Sequence, residues 1–253
     1  MNLLEVLLLG FIQGVTEWLP ISSSGHLSAA QILLGLEEPL LFDVALHVAT
    51  LVVVFIYFKR DLAEIASATV KLDFRSKQGR LIPLILIGTI PVTVIGLVFY
   101  DYYVILFDLK ILGFCFIASG IIVASSKIKK EGDALVSVKT ALIIGLAQAL
   151  ALAPGFSRSG LTISVALLAG VKREEAFRFS FLLSIPAVLG ALLLTLIKGN
   201  ADGALIHLLL LCGVVAVLVG YVSLSILHRL LMKGFFHMLG FYAVVVGLLL
   251  LFI

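Results

Sequence analysis

Charged residues are scarce in this chain of 253 residues, and cysteine is scarcer still. Only 13% of the residues are charged, 62% are hydrophobic, and the mean hydropathy is +1.22. No segment could form a water-soluble core of its own, which excludes a soluble globular domain and makes the bilayer the predicted solvent. Cys115 and Cys212 both lie within apolar runs and are interpreted as small core residues, so neither indicates a disulfide or a metal site. The first residues lack the basic region and cleavage site of a signal peptide, so we interpret them as mature sequence.

Apolar runs long enough to cross a bilayer with some tilt occur six times. They lie near 41–58, 81–100, 106–125, 179–197, 205–227 and 236–253. Basic residues cluster in the linkers 59–80, 126–139 and 171–178 and in the turn 228–233, which the positive-inside rule places in the cytoplasm. The connections 37–39, 101–103 and 198–202 are poor in basic residues and are predicted to face outward.

Residues 140–170 are apolar, yet the linkers on both sides are predicted to be cytoplasmic, so this segment must enter the membrane and return. The same count leaves residues 1–36 beginning and ending outside. The sequence therefore predicts an all-α polytopic membrane protein with six transmembrane helices and two re-entrant helical hairpins in an inverted-topology repeat. Repeat one covers about 1–125, the cytoplasmic linker about 126–139 and repeat two about 140–253, all within one integral membrane domain. The alternative is ten full spans, two of them short.

A polar motif occurs twice, once near the tip of each predicted hairpin. The residues of the first copy, with their counterparts 135 positions later, are Gly10 and Gly145, Gln13 and Gln148, Ser22 and Ser157, Ser24 and Ser159, and Gly25 and Gly160. Each motif precedes a predicted half-helix, whose N-terminus offers free N–H groups, hydroxyls and the positive end of a dipole to a phosphate. The residues predicted to bind phosphate are Ser22, Ser24, Gly25, Ser157, Arg158, Ser159 and Gly160. Arg158 adds a planar, permanently charged fork that suits phosphate oxygens.

Glu17 is the acidic residue that complements Arg158, and Gln13 lies one turn before it on the same helix face. The two could ligate a divalent cation through oxygen, Glu17 could orient or deprotonate a nucleophile, or Glu17 could be the ion-pair partner of Arg158. His26 could act as general acid, base or nucleophile, or cap a helix in a wet pocket. Asp43 and His47 share one face of the next span, where hydrogen bonding within the bundle is the first interpretation and cavity lining the second.

Serines, an arginine, a histidine and an acid in a membrane pocket indicate hydrolysis of a phosphate ester or anhydride carried on a lipid. The tail would stay in hydrocarbon while the head group enters the cavity. Arg158, the N–H groups of the tips and a metal would stabilise the transferring phosphoryl group, with serine, histidine or water activated by Glu17 as the nucleophile.

The segments Gln13 to Glu17, Pro20 to His26 and Pro154 to Gly160 resemble the signature motifs of the bacitracin-resistance type of undecaprenyl-diphosphate phosphatase, and the similarity covers most of the chain. The resemblance implies that the terminal phosphate of a polyprenyl diphosphate is hydrolysed to give the monophosphate and inorganic phosphate, which recycles the carrier lipid for cell-wall or glycan synthesis and confers bacitracin resistance. It implies the catalytic residues Glu17, Ser23, His26 and Arg158. It also implies a diphosphate site at both tips and a divalent cation, Mg²⁺ or Ca²⁺, at Glu17 and Gln13. The first acidic position of the family motif is a glutamine here, Gln13.

The same resemblance implies a multi-pass protein of the plasma (inner) membrane whose active site faces the outer side. Its partners would be the lipid substrate and membrane lipids, with no nucleic acid and with a homodimer left open. The rival hypothesis is a transporter or translocase (flippase) of a phosphorylated lipid, because inverted repeats are a transporter architecture. Glu17, Ser23 and His26 favour the enzyme, since a carrier needs anion ligands but no nucleophile beside an acid or base.

Overall fold

Helices make up the fold over residues 2–36, 40–99, 108–128, 132–198 and 206–252, which are the residues that the computed structural model describes. They are α1 (Leu3–Trp18), α2 (Ser23–Leu34), α3 (Leu40–Tyr57), α4 (Lys59–Val70), α5 (Leu81–Phe99), α6 (Leu109–Ser125), α7 (Val138–Leu150), α8 (Arg158–Leu168), α9 (Arg173–Lys198), α10 (Ile206–Met232) and α11 (Met238–Leu251). Within these ranges the only extended pairing is one bridge between Ala134 and Val171. The predicted all-α class is confirmed.

Four helices, α3, α5, α9 and α10, are long and apolar enough to cross a membrane. The helices α6, α7, α8 and α11 are apolar but shorter. These lengths confirm a polytopic membrane protein. The predicted outward connections at 37–39 and 101–103 lie outside the described residues, as does 198–202 apart from Lys198, the last residue of α9.

Two helices run well past the predicted spans. Helix α9 begins at Arg173 rather than near 179, and α10 ends at Met232 rather than near 227. The apolar runs do not give the ends of these helices, because a charged residue marks the edge of the hydrocarbon but does not stop a helix. Two acidic residues in the first turn of α9 even favour its N-terminus.

The linker 59–80 was predicted as a solvated connection, but it contains α4 and takes part in an ion-pair network. Glu175 on α9 accepts a hydrogen bond from Arg80, and Arg178 Nε lies 3.0 Å from an oxygen of Asp61 on α4. A second contact places Arg178 Nη1 3.7 Å from Glu175. These contacts join the linker to the first turns of α9.

The two predicted hairpins are visible as the helix pairs α1–α2 and α7–α8, with Pro20 and Pro154 in the turns between them. The N-cap of α2 is Ser22, whose hydroxyl oxygen accepts a hydrogen bond from the Gly25 amide at 3.2 Å. The N-cap of α8 is Ser157, which accepts from the Gly160 amide at 3.1 Å. Helix α2 therefore begins earlier than predicted, with Ser23 to Gly25 as its first turn. The duplicated motif folds into a duplicated cap.

Small residues let the helix pairs approach closely at equivalent places in the two halves. Helix α1 packs on α10, and α7 packs on α5. A Cβ atom on Gly10 would lie 2.6 Å from the Cys212 carbonyl oxygen, and one on Gly145, the counterpart of Gly10, would lie 2.2 Å from that of Gly88. Helices α6 and α11 meet through four more glycines, Gly113, Gly120, Gly240 and Gly247. Such contacts stabilise helix pairs in lipid, where the hydrophobic effect contributes little.

A glycine-to-alanine pair tests this packing. We expect Gly145→Ala to destabilise the protein by roughly 1–3 kcal/mol, because its methyl group would overlap a backbone carbonyl that cannot rotate away. Gly190→Ala, also within a helix, meets nothing within 4 Å. It should leave stability unchanged or raise it by up to about 1 kcal/mol through helix propensity. Thermal unfolding in detergent measures both, and equal effects of the two changes would contradict the packing argument.

Candidate functional site

The carboxylate of Glu17, at the end of α1, receives hydrogen bonds from four helices. Its Oε1 accepts from Arg158 Nη2 at 2.6 Å, and its Oε2 accepts from the Ser23 hydroxyl at 2.6 Å. His47 Nδ1 lies 2.7 Å and Gln13 Nε2 3.2 Å from the same Oε2. Because a carboxylate can only accept, the His47 proton sits on Nδ1 and the Gln13 amide donates. One buried acid thus joins α1, α2, α3 and α8.

The two hairpin tips touch each other beside this carboxylate. A Cβ on Gly25 would lie 2.9 Å from the Cα of Gly155, and the Ser159 hydroxyl donates to the Leu19 carbonyl at 3.4 Å. Ser22 has a φ of 68°, which is rare for a residue with a side chain. Such strain persists where surrounding contacts fix it, and it is common at functional sites. The two tips are therefore in direct contact.

A cavity of about 530 Å³ opens beside the tips. Its polar lining comes mainly from Glu17, Ser23, Ser24, His47, Gln148, Ser157 and Arg158. Most of the remaining wall is apolar and comes from residues between 92 and 99 on α5 and between 186 and 195 on α9. A few polar groups in a largely apolar cleft of this size are typical of a site for a small molecule or for the head group of a lipid.

Two of the lining residues have polar side-chain atoms without a hydrogen-bond partner among the described residues. In Gln148 these atoms are Nε2 and Oε1, and in Arg158 the atom is Nη1. One amino group of Arg158, Nη2, donates to Glu17, and the other, Nη1, has no partner among the described residues. The guanidinium carbon lies 5.8 Å from the Trp18 ring centroid. An arginine held in this way can bind an anion without moving.

Comparison with known proteins agrees with this geometry. The family model described as "Bacitracin resistance protein BacA" matches residues 6–249. This chain belongs to that family. Relatives with the name undecaprenyl-diphosphatase include one from Korarchaeum cryptofilum, which is 39% identical over 99% of each chain. Another, from Carboxydothermus hydrogenoformans, is 41% identical over 99% of this chain and 97% of the relative, and one from Rubrobacter xylanophilus is 40% identical over 99% and 100%.

The phosphate-binding residues predicted for this member of the BacA family divide into two groups. Ser24, Ser157 and Arg158 line the cavity, as does Ser23. Ser22, Gly25, Ser159 and Gly160 are not among the lining residues. Their contacts are structural: Ser22 caps α2, Ser159 bonds to the opposite tip, and a Cβ on Gly25 or Gly160 would collide with a neighbouring side chain. The residues of the second group therefore stabilise the structure of the tips.

His26 is the predicted catalytic residue that the fold does not bring into the cavity. Its Nδ1 lies 2.7 Å from the Ser22 carbonyl oxygen, and its Nε2 lies 3.0 Å from the Tyr242 hydroxyl. Its ring stacks on Tyr242 and meets Phe116 edge to face. Neither ring nitrogen has a bond to Glu17, Ser23 or Arg158. His26 therefore stabilises the turn of the first tip through its hydrogen bond to Ser22.

A divalent cation would find oxygen ligands of the right chemistry at Glu17 and Gln13, although few of them. Gln13 Oε1 is buried without a hydrogen-bond partner among the described residues, and it lies on the side chain that touches Glu17. Magnesium is commonly held by one or two carboxylates together with substrate phosphates. No cluster of three or more His, Cys, Asp or Glu side chains suited to a metal occurs in the described part of the chain. Glu17 and Gln13 alone supply few ligands, so a cation here would need further oxygens from a bound phosphate.

His47 and Gln148 are the site residues that were not selected from the sequence. Both interpretations of His47 are confirmed: it forms a hydrogen bond within the bundle, to Glu17, and it lines the cavity. Its spacing from Asp43 was the available signal, although Asp43 bonds elsewhere, to Gln31. The signal for Gln148 was its equivalence to Gln13 in the repeat.

Proposed function

We propose that this protein hydrolyses the terminal phosphate of undecaprenyl diphosphate or a closely similar polyprenyl diphosphate, releasing the monophosphate and inorganic phosphate. The observation that carries the proposal is the contact of Glu17 with both Ser23 and Arg158 at the wall of an apolar cavity. Membership of the BacA family and relatives named undecaprenyl-diphosphatase support the same substrate. By this reaction the protein recycles the carrier lipid for cell-wall or glycan synthesis and confers bacitracin resistance.

Glu17 and Ser23 supply a base and a nucleophile in direct contact. Glu17 takes the Ser23 proton as the hydroxyl oxygen attacks the terminal phosphorus, and the bond to the bridging oxygen breaks to release the lipid monophosphate. Water then hydrolyses the phosphoserine and regenerates Ser23. Arg158 Nη1, together with the first-turn amides of α2 and α8, stabilises the charge on the phosphoryl oxygens. His26 acts as a positioning residue, because it bonds to the turn and not to the reacting groups.

The walls of the cavity suit a lipid substrate. The stretches of α5 and α9 that line it are almost entirely apolar, and many neighbouring side chains on these helices are exposed on the outer surface of the fold. A prenyl tail can therefore stay in hydrocarbon while the diphosphate reaches the tips. Water alone could not hold such a substrate.

We further propose six spans and two re-entrant hairpins in an inverted repeat. The order of facing residues indicates that α1 runs parallel to α10, since Gly10 faces Cys212 while Gly14 faces Ala216. Helices α6 and α11 run antiparallel, since Gly113 faces Gly247 while Gly120 faces Gly240. An inverted repeat requires both relations. The proposed location is the plasma membrane, with the site open to the outer side.

We propose in addition that Mg²⁺ or Ca²⁺ is held by the oxygens of Glu17 and Gln13 together with the substrate. The cation would neutralise negative charge on the phosphate oxygens. The unpartnered Gln13 Oε1 supports this assignment.

Release of inorganic phosphate from a polyprenyl diphosphate by the purified protein tests the reaction. We expect Glu17→Ala to lower turnover by about 10²–10⁴-fold, as expected for loss of a general base. Arg158→Lys, which keeps the buried charge but loses the fork, should lower turnover by about 10²–10³-fold. The control is Arg60→Ala, an exposed arginine on α4, with turnover unchanged. Wild-type turnover in both site variants would refute the assignment, and lipid transfer between leaflets without phosphate release would favour the translocase.

Metal dependence can be measured in the same assay. A chelator should stop phosphate release, and added Mg²⁺ or Ca²⁺ should restore it. Gln13→Leu should raise the metal concentration for half-maximal rate by at least about tenfold, as changes around a metal usually do. Gln13→Glu should lower that concentration, because a carboxylate binds these ions more strongly than an amide. If neither variant shifts the metal titration, Gln13 is not a ligand.

Single cysteines test the proposed orientation in a background with Cys115→Ala and Cys212→Ala. We expect Lys71→Cys and Lys172→Cys, both exposed in linkers, to resist a membrane-impermeant thiol reagent in intact cells and to react after permeabilisation. Asn2→Cys should react in intact cells, because α1 and α2 return to the side on which the chain begins. Outside labelling at Lys172→Cys, or protection at Asn2→Cys, would contradict the inverted arrangement.

A further inference from the structure

Gln148 is a buried amide that the chemistry proposed so far does not use. It lies near the end of α7, is 2% exposed and lines the cavity. Neither its Nε2 nor its Oε1 has a hydrogen-bond partner among the residues that the structure describes.

The other two buried glutamines behave differently. Gln13, the counterpart of Gln148 in the first repeat, donates to Glu17. Gln31, which is 6% exposed, donates to Asp43 at 2.9 Å. A polar group buried without a partner destabilises a fold by more than a satisfied one stabilises it. The Gln148 amide, without a partner among the described residues, therefore has no structural benefit that an apolar side chain would lack.

We propose that Gln148 is a binding residue for the diphosphate head group, to whose oxygens its amide N–H groups donate. The inference rests on the proposed function, and it adds to that function a neutral ligand from the second repeat. Nη2 of Arg158 is bonded to Glu17, which leaves Nη1 as the amino group that is available to an anion. A diphosphate offers more acceptor oxygens than one amino group can satisfy. The amide supplies further donors without another buried charge, which would be expensive in the membrane.

The proposal predicts opposite effects on binding and on stability. Gln148→Met should weaken binding of a non-hydrolysable, methylene-bridged lipid diphosphonate by about tenfold, which corresponds to about 1.4 kcal/mol. The same change should leave the thermal midpoint of the ligand-free protein unchanged or higher, because it removes two unpartnered polar groups. The matched control is Gln31→Met, which should lower the midpoint and leave the dissociation constant unchanged.

Titration calorimetry of the purified proteins and thermal unfolding in detergent supply the two measurements. An unchanged dissociation constant in Gln148→Met, or failure of the wild type to bind the diphosphonate, would overturn the proposal. So would a fall in the midpoint equal to that of Gln31→Met, which would show an internal role for the amide. Gln148→Asn, which keeps the amide but withdraws it by one methylene, should weaken binding several-fold with no change in midpoint, and it provides the same test if Gln148→Met does not fold.

Binding and hydrolysis are separated by the choice of ligand. If the wild type binds the diphosphonate and Gln148→Met does not, but the wild type releases no phosphate from the diphosphate, then the proposed reaction is wrong and the role of Gln148 stands. If the wild type hydrolyses the substrate and Gln148→Met binds the diphosphonate as tightly as the wild type, the reaction stands and this inference fails.

Discussion

The ion pair between Glu17 and Arg158 is the interaction on which the site depends. The two residues are 141 positions apart, and their side chains meet at 2.6 Å where the two hairpin tips touch. Either charge alone at this depth would destabilise the fold strongly, since removing one partner of a buried pair leaves the other uncompensated. The tips are therefore held together by the same groups that the proposed reaction uses. The contacts of Glu17 with Ser23 and His47 extend this link to α2 and α3.

Around this pair a nearly symmetric scaffold carries asymmetric chemistry. The helix caps at Ser22 and Ser157 and the close contacts at Gly10 and Gly145 recur at the spacing of 135. The residues of the proposed reaction do not recur: Glu17, Ser23 and the positioning residue His26 have the counterparts Leu152, Arg158 and Leu161. A dipole at each tip suits the two phosphates of a diphosphate, whereas hydrolysis needs one base and one nucleophile. The conserved part of the duplicated motif therefore provides two phosphate-binding tips, and the divergence of the two copies provides a base and a nucleophile on one of them.

Local chemistry made much of this structure predictable. The duplicated motif predicted the two hairpins and the helices that follow their tips, and the complementary charges of Glu17 and Arg158 predicted a contact between them. Properties that depend on packing between distant helices were not predictable. The ring of His26 is positioned by Phe116 and Tyr242, which lie far from it in the sequence, and His47 reaches Glu17 only because α3 packs beside α1. The ends of α9 and α10 were also missed, because hydropathy reports the bilayer edge and not the end of hydrogen bonding.

The unpartnered atoms at the cavity explain why such a site can be selective. The unpartnered donors Gln148 Nε2 and Arg158 Nη1 reduce the stability of the free protein, and a ligand with several acceptor oxygens removes that penalty for both donors on binding. A ligand with fewer oxygens leaves some of these groups unsatisfied, so discrimination between diphosphate and monophosphate can arise from the groups that the product fails to satisfy. Product release then follows from the same geometry that binds substrate. Because Gln148 is neutral, it can take part in this discrimination without a large gain in affinity for inorganic phosphate. A second arginine would increase that affinity.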